Sequence, residues 1–362
     1  MADRYYFELA RNALRIGRVV DPEPCVVHEA CLGRVCDVPD PRLHGQGGGG
    51  SRALLPCAAT TGRVIGEFSD RSRRNMRWEL SALDWRALGA RPAMVTLTYP
   101  REWREFAPDG PTCRKHVERF KSRWARRWGE PVVGVWVREF QQRGAPHFHC
   151  YLGLPGGVTA DEYVELSART QRRKRLEREM SKYEARRQAG FLTGEFGRWL
   201  LSAWSGSVRT APGSLHARFG ADVAPMFWAG SAAEFAAGDD ENWRRVAEYL
   251  WRESGKFGQK TVPEDFASPG RWWGRWGVGL AVSEGELDER VYYELRRMLL
   301  GAVRARQRQW RRLRRLRGEP AGKILRVRGR DGLTAFGVGR ADGARLLRLA
   351  EDLAVAKRLA AQ

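Results

Sequence analysis

The sequence predicts an α+β fold in which a central antiparallel sheet is flanked by helices. Two alternating apolar runs, 132–140 and 146–154, are separated by a turn containing Gln, Arg, Gly and Pro, which is the pattern of a β-hairpin. A further strand is predicted at 94–99, where apolar residues alternate until Pro100 ends the run. Between them, 112–128 has apolar residues at helical spacing and a basic opposite face. The order strand, helix, strand, strand favours an antiparallel sheet backed by helices.

The second strand of the hairpin places His147 and His149 on one face. If the hairpin is symmetric about Arg143, Glu139 lies directly opposite His147, because each is four residues from the centre. Cross-strand neighbours touch, so Glu139, His147 and His149 are expected to converge. Two imidazoles and a carboxylate can hold a divalent metal and leave coordination positions for a substrate. A His-x-His pair on a strand is also found as two half-exposed histidines, and the opposed carboxylate is what favours the metal.

The composition predicts a protein that binds nucleic acid. The 362 residues include 64 Lys and Arg against 43 Asp and Glu, which gives a formal charge of +21 and a pI near 10.5. Such a charge attracts polyanions, with nucleic acid first and an anionic membrane surface second. The sequence contains no run of 18 apolar residues and no signal-peptide core. We therefore expect a cytoplasmic protein with reduced cysteines and no membrane partner.

Residues 1–75 are predicted to form an N-terminal extension. Four soft ligands within a dozen residues could bind a structural Zn²⁺ ion. These candidate ligands are Cys25, His28, Cys31 and Cys36. Their spacing matches no standard zinc knuckle, so scattered reduced cysteines are the other interpretation. The Pro- and Gly-rich stretch 37–51 predicts a flexible linker, and 70–90 predicts a basic amphipathic helix that leads into the main domain.

The hairpin and the strand before it resemble motifs of a known family. The stretch QQRGAPHFHCYL, with Glu139 eight residues before His147, resembles the second motif of HUH endonucleases. Within that group it is most similar to the rolling-circle replication initiators of bacterial plasmids and phages. The TLTY segment that contains Thr96 and Thr98 resembles the first motif, which lies on a central strand beside the metal hairpin.

This resemblance covers roughly residues 92–276 and implies both a fold and a metal. It implies an HUH nicking and joining domain at 76–280, with a helical insertion at about 158–205. It implies Mg²⁺ or Mn²⁺ as the cofactor, held by Glu139, His147 and His149. It also implies that the two threonines of the TLTY segment line the active face or support the DNA.

Residues 241–257 predict a helix that stops at Gly255. One face of this helix carries Tyr249, Arg252, Glu253 and Lys256. Without the resemblance, the plain interpretation is a half-buried tyrosine beside a surface ion pair.

HUH initiators commonly carry Y-x-x-K-Y-x-x-K on such a helix, and the stretch at 259–274 is also typical of this group. The resemblance therefore implies that Tyr249 is the nucleophile, while Arg252 or Lys256 stabilises developing charge. The second Tyr position holds Glu253, which implies a role in the terminating step. Some single-tyrosine plasmid initiators pair a Glu with a Tyr four residues later, and this chain has that pair in reverse order.

The segment 158–205 is helical in pattern and highly charged, which favours a solvated or DNA-facing insertion. Residues 214–228 predict another strand. His216 within it could be an alternative metal ligand, although a lone His at such a place is more often a surface residue.

The region 281–362 is predicted to be basic, mainly helical and in contact with DNA. Ser283 and Glu286 predict a capping box for a long helix at about 284–317. The end of that helix has eight arginines between 304 and 317, a density that favours phosphate binding over a merely solvated face. Residues 323–338 predict a short hairpin and 342–360 an amphipathic helix. The residues predicted to contact DNA are Thr96, Thr98, Arg143, Arg304, Arg308, Arg311, Arg312 and Arg315.

Together these features predict a metal-dependent enzyme that nicks and rejoins DNA at a replication origin through a 5′-phosphotyrosine. The chain has no P-loop, so strand separation would need a host helicase, and synthesis a host polymerase. A transposase or conjugative relaxase with the same chemistry is one alternative, although a relaxase usually has a third metal-site His and a near-N-terminal Tyr. A non-catalytic basic nucleic-acid-binding protein is the other.

Overall fold

The computed structural model describes residues 4–10, 13–19, 68–226, 261–318, 320, 332–336 and 340–360. The chain divides into two compact units. One, the central unit, is Val64–Leu280; the other, the terminal unit, combines Met1–Arg63 with Ala281–Gln362. The described parts of both contain an antiparallel sheet flanked by helices, which confirms the predicted α+β class. No helix in these ranges is long and apolar enough to cross a membrane.

The strands of the described residues, in chain order, are β1 (Arg4–Leu9), β2 (Ala13–Val19), β3 (Pro92–Thr98), β4 (Gly134–Phe140), β5 (Pro146–Gly153), β6 (Ala221–Pro225), β7 (Trp273–Trp276), β8 (Ser283–Leu287) and β9 (Gly332–Phe336). The α-helices are α1 (Asp70–Ala82), α2 (Trp103–Phe106), α3 (Gly110–Trp128), α4 (Ala160–Leu176), α5 (Lys182–Gln188), α6 (Gly194–Val208), α7 (Leu215–Phe219), α8 (Glu289–Leu316) and α9 (Arg340–Leu359). A 3₁₀ turn, Trp85–Leu88, follows α1. The central sheet has the order β6-β3-β5-β4-β7 and the terminal sheet the order β8-β1-β2-β9.

Helix α3 supplies much of the core of the central unit. It begins where the side chain of Asp109 accepts a hydrogen bond from the backbone N–H of Thr112, and it ends at Gly129, whose φ of 72° is left-handed. The rings of Phe120 and Trp124 on its buried face lie 5.7 to 6.2 Å from aromatic rings of α6. Such aromatic contacts bury large apolar areas and fix the two helices together.

His116 of α3 is a buried histidine that ties the helix to the end of β3. Its Nδ1 lies 3.2 Å from the hydroxyl of Tyr99, and both residues are buried. Burial, together with the nearby charges of Arg119 and Arg209, lowers the pKa of His116 from 6.5 to about 4. The imidazole is therefore neutral in the folded protein at neutral pH.

We expect this histidine to make the central unit less stable as the pH falls from about 6.5 to about 4. In that window the unfolded chain binds a proton at residue 116 that the folded chain does not, so unfolding is favoured; above it, neither state is protonated. The expected loss is about 2 kcal/mol after allowance for solvent screening. Urea unfolding followed by tryptophan fluorescence reports mainly the central unit, since Trp310 is the one tryptophan beyond it.

A His116→Phe variant is the matched control, because it keeps a ring and removes the titration. Its stability is expected to fall less than that of the wild type between pH 7 and pH 4.5. An identical pH dependence in the two proteins would contradict the assignment.

The terminal unit joins residues that are far apart in the sequence. Strand β1 pairs with β2 on one side and with β8 on the other, while β2 also pairs with β9. Tyr292, Leu295 and Leu299 of α8 are buried in its core. The sequence predicts an N-terminal extension (1–75) and a separate C-terminal region (281–362), whereas in the structure residues 4–19 share one sheet with the C-terminal strands.

The predicted capping box at Ser283 and Glu286 is wrong. Both residues lie on β8, and α8 begins after Asp288, whose carboxylate accepts a hydrogen bond of 2.8 Å from the backbone N–H of Arg290. The short S-x-x-E signature also fits an exposed strand, and its partner strand β1 lies at the opposite end of the chain. Local pattern alone does not distinguish the two.

Other predicted elements are confirmed with shifted bounds or fall outside the described residues. The charged segment 158–205 forms three helices, and 342–360 corresponds to α9. The predicted strand at 214–228 is wrong in its first half, which forms α7 before the short strand β6. Of the predicted hairpin 323–338, the structure describes β9, which pairs with β2. The candidate zinc ligands Cys25, His28, Cys31 and Cys36 lie outside the described residues.

Candidate metal centre

The pairing registers of the central sheet place five residues in one row on one face. Thr96 of β3 pairs with His149 of β5 on one side and with Asp222 of β6 on the other. His149 also pairs with Val137 of β4, which in turn pairs with Trp273 of β7. Directly paired residues of antiparallel strands point to the same side of a sheet. We call the side that carries this row the site face.

The next row on the site face contains Thr98, His147 and Glu139. The register pairs Glu139 with His147, which confirms the arrangement predicted from the symmetry of the hairpin. Glu139 Oε2 lies 3.6 Å from His149 Nε2, and the ring centroids of His147 and His149 are 4.5 Å apart at an angle of 89°. The three predicted ligands therefore lie next to one another.

Two threonines of β3 face the inner nitrogens of the two histidines. Thr98 Oγ1 is 3.1 Å from His147 Nδ1, and Thr96 Oγ1 is 3.4 Å from His149 Nδ1. When Nδ1 carries the proton and donates it to the hydroxyl, the lone pair of the ring is on Nε2, which is the atom that lies toward Glu139 in His149. Hydrogen bonds of this kind fix the tautomer and orientation of metal-binding histidines.

Glu139 is buried, with 4% of its surface exposed, although it is a carboxylate on the site face. A buried carboxylate is costly unless cations or hydrogen-bond donors surround it. The side chain of His149, beside it, keeps 20% exposure. The pair thus combines a buried negative charge with a ring that is partly open to solvent, which suits a site for a small cation.

The donor set fits a divalent metal in chemistry and in spacing. Two imidazoles and a carboxylate form a known facial ligand set for such ions. Two donors about 2.1 Å from one ion lie about 3 Å apart, close to the 3.6 Å between Glu139 and His149. Within the described ranges, no three His, Cys, Asp or Glu side chains are already close enough together to enclose a metal. Binding would therefore require the three side chains to move closer together.

The carbonyl oxygen of Thr98 is held by two buried side chains that the sequence does not predict. It accepts a hydrogen bond of 2.8 Å from Trp204 Nε1 and lies 2.7 Å from His216 Nε2. The other ring nitrogen of His216 is 2.9 Å from Thr210 Oγ1. His216 is thus buried and fully engaged with its own chain, so the expectation of a surface residue is wrong, and its ring does not serve as an alternative metal ligand here. Its role is to fix the backbone that carries Thr98, and so His147.

Arg143 fastens the hairpin turn to the end of β3. Its Nη2 donates to the carbonyl of Tyr99 at 2.7 Å, and its Nη1 donates to the carbonyls of Pro100 at 2.6 Å and Arg101 at 3.1 Å. Its Nε donates to the side chain of Gln141 at 2.9 Å. These contacts give Arg143 a structural role, and its predicted contact with DNA stays a prediction.

The other arginines predicted to contact DNA lie on the second half of α8, in the terminal unit. All of them belong to one helix, as expected, and most are exposed. They are Arg304, Arg308, Arg311, Arg312 and Arg315. Trp310, with 50% exposure, lies among them under the guanidinium of Arg314 at 4.8 Å.

The four residues of the predicted nucleophile helix lie outside the described residues. They are Tyr249, Arg252, Glu253 and Lys256. Their roles rest on the sequence.

Comparison with known proteins gives one match. A family model for replication-associated proteins of the ORF2 type matches residues 92–195. This range contains β3, β4, β5 and all three predicted metal ligands, and it ends before Tyr249. No curated protein and no solved structure matches the chain. The match suggests a role in DNA replication.

Proposed function

We propose that this protein initiates rolling-circle DNA replication by nicking and rejoining single-stranded DNA, as an endonuclease of the HUH class. The observation that carries the proposal is the register that sets Glu139 opposite His147, with His149 beside them on the same face. This cluster lies within the segment similar to replication-associated proteins. The formal charge of +21 suits a polyanionic substrate.

Glu139, His147 and His149 would hold the Mg²⁺ or Mn²⁺ ion of this reaction. When bound, such an ion supplies positive charge that offsets the charge of the scissile phosphate. The hydroxyls of Thr96 and Thr98 orient the two imidazoles toward this task. The hydrogen bonds from Trp204 and His216 keep the end of β3 in register with the hairpin.

Tyr249 is the proposed nucleophile, from its place in the sequence pattern of 241–257. Its phenolate oxygen attacks the phosphorus, and the bond from phosphorus to the 3′ oxygen breaks. The departing oxygen takes up a proton and becomes a 3′-OH primer, while the 5′ phosphate stays joined to the tyrosine. Arg252 and Lys256, on the same face of that predicted helix, stabilise the charge that develops on the phosphate.

The test uses single-stranded oligonucleotides that tile the candidate origin, labelled in turn at each end, with Mn²⁺ or Mg²⁺. A denaturing gel is expected to show a covalent adduct with the fragment on the 5′-phosphate side, and the same lanes with EDTA are expected to show none. Tight DNA binding without cleavage of any tile, with the origin included as a supercoiled plasmid, would instead support a non-catalytic DNA-binding protein.

Glu253 is proposed to activate the water or 3′-OH that resolves the adduct. A Glu253→Ala variant is therefore expected to form the adduct at a normal rate and to release it about 100-fold more slowly, because general bases typically contribute that much. Release is measured by adding a 3′-OH oligonucleotide to the isolated adduct. Glu351→Gln, which changes an exposed glutamate of α9, is the control. Normal release by the Glu253 variant would show that another group resolves the adduct.

A further inference from the structure

Three arginines of the charged helices converge on one buried aspartate of β6. Arg169 Nη1 donates to Asp222 Oδ1 at 2.8 Å, and Arg173 Nη1 donates to Oδ2. Arg186 Nε lies 3.7 Å from the same Oδ2, and its Nη2 donates to the carbonyl of Ala221. Asp222 and Arg169 are almost fully buried, with 5% and 4% exposure. The cluster therefore holds α4 and α5 against the edge strand of the central sheet.

The cluster contains more positive charge than the fold needs for this purpose. Three guanidinium groups face Asp222, and one further carboxylate, Glu177, lies 3.3 Å from Arg173 Nε. Arg186 Nε is buried but makes no hydrogen bond. Burial, then the neighbouring charges of Arg169 and Arg173, lower the pKa of Arg186 against the pull of Asp222. A buried cation in this position would be stabilised by an additional anion.

The cluster lies on the same face of the sheet as the candidate metal centre. Asp222 belongs to the row that contains Thr96 and His149. It is two strands from His149, a distance of about 10 Å along the row. The side chains of Arg173 and Arg186 keep 13% and 20% exposure, so solvent reaches them, whereas Arg169 is closed off at 5%. An anion that approaches the site face would therefore meet these two arginines.

We propose that Arg173 and Arg186 bind a backbone phosphate of the single-stranded DNA, next to the phosphate that is cleaved. This inference rests on the proposed function, and it names the part of the protein that positions the strand. Arginine suits the task, because its planar fork presents paired N–H donors to a phosphate. Asp222 holds the forks in place before the DNA arrives, so little side-chain entropy is lost on binding.

The test measures binding of a fluorescein-labelled thymidine oligonucleotide in EDTA over a range of KCl concentrations. Arg173→Gln and Arg186→Gln are each expected to weaken binding about 10-fold, as hydrogen bonds to charged groups typically do. Each is also expected to reduce the slope of log affinity against log salt by about 0.7, the value for one phosphate contact on a single strand. Arg172→Gln is the matched control, because it removes an exposed arginine of the same helix. It is expected to change the slope little.

An unchanged slope in both cluster variants, together with a lower melting temperature, would show that the cluster only holds the helices and would overturn the proposal. Equal losses for Arg172→Gln would overturn it as well, because the effect would then come from the general field of the charged helices. If the glutamine variants do not fold, hydrogen exchange of the wild-type segment 169–188 replaces them. DNA is expected to slow exchange there, and no protection would contradict the proposal.

This readout is independent of cleavage. A wild-type protein that never nicks but shows these slope changes would retain the phosphate site and lose the proposed function. A protein that nicks normally while its slope ignores Arg173 and Arg186 would lose the phosphate site alone.

Discussion

Replacing Tyr249 with phenylalanine is expected to abolish the covalent adduct between the protein and DNA. Phenylalanine keeps the ring and removes the oxygen that attacks phosphorus, so the loss is expected to reach about 10⁴-fold or more, as for other catalytic nucleophiles. Binding of the uncleaved strand is expected to change little, since the charge of the protein is unaltered. The measurement is the adduct band on a denaturing gel, with affinity measured in parallel in EDTA.

Tyr293→Phe is the control for this experiment. Tyr293 is 44% exposed on α8, in the terminal unit, and no step of the proposed reaction uses it. The control is expected to form the adduct as the wild type does. An adduct that persists in the Tyr249 variant would place the nucleophile on another residue, and peptide mapping of the adduct would identify it.

Replacing His149 with alanine is expected to remove both metal binding and metal-dependent nicking. The variant loses one of three ligands, so its Mn²⁺ affinity is expected to fall more than about 100-fold, because even partners outside the coordination shell contribute 10- to 100-fold. Calorimetric titration with Mn²⁺ measures this directly and needs no DNA. The nicking rate is expected to fall at least as far.

His116→Phe again serves as the comparison, because His116 is a buried histidine bonded to Tyr99 and not to the metal cluster. It is expected to bind Mn²⁺ with wild-type affinity at pH 7. If the His149 variant also titrated like the wild type, the cluster of Glu139, His147 and His149 would not be the metal site, and the sequence resemblance would have to be explained without one.

The short-range parts of this fold could be predicted from the sequence, because their signals are local. The hairpin is closed by a tight turn, so counting outward from Arg143 gives the pairing of Glu139 with His147 correctly. Helix α3 likewise has its cap, its apolar stripe and its terminal glycine within one stretch. In these cases the residues that determine the structure are neighbours in the chain.

The contacts that support the site could not be predicted in this way. His216 reaches the carbonyl of Thr98 across 118 residues, and Arg169 reaches Asp222 across 53. No periodicity links such pairs, and a lone histidine or a charged helix has an ordinary solvent-exposed interpretation. The sequence pattern misassigns strand β8 for the same reason, since its partner β1 lies nearly the whole chain away.

The pairing of β1 with β8 and of β2 with β9 has a consequence for synthesis on the ribosome. Strands β1 and β2 emerge first, yet their outer partners are translated after Leu280, so the terminal sheet has no complete set of strands until the last part of the chain emerges. The central unit, whose five strands all precede Leu280, can fold earlier. The segment that begins translation is thus among the last to reach its final structure.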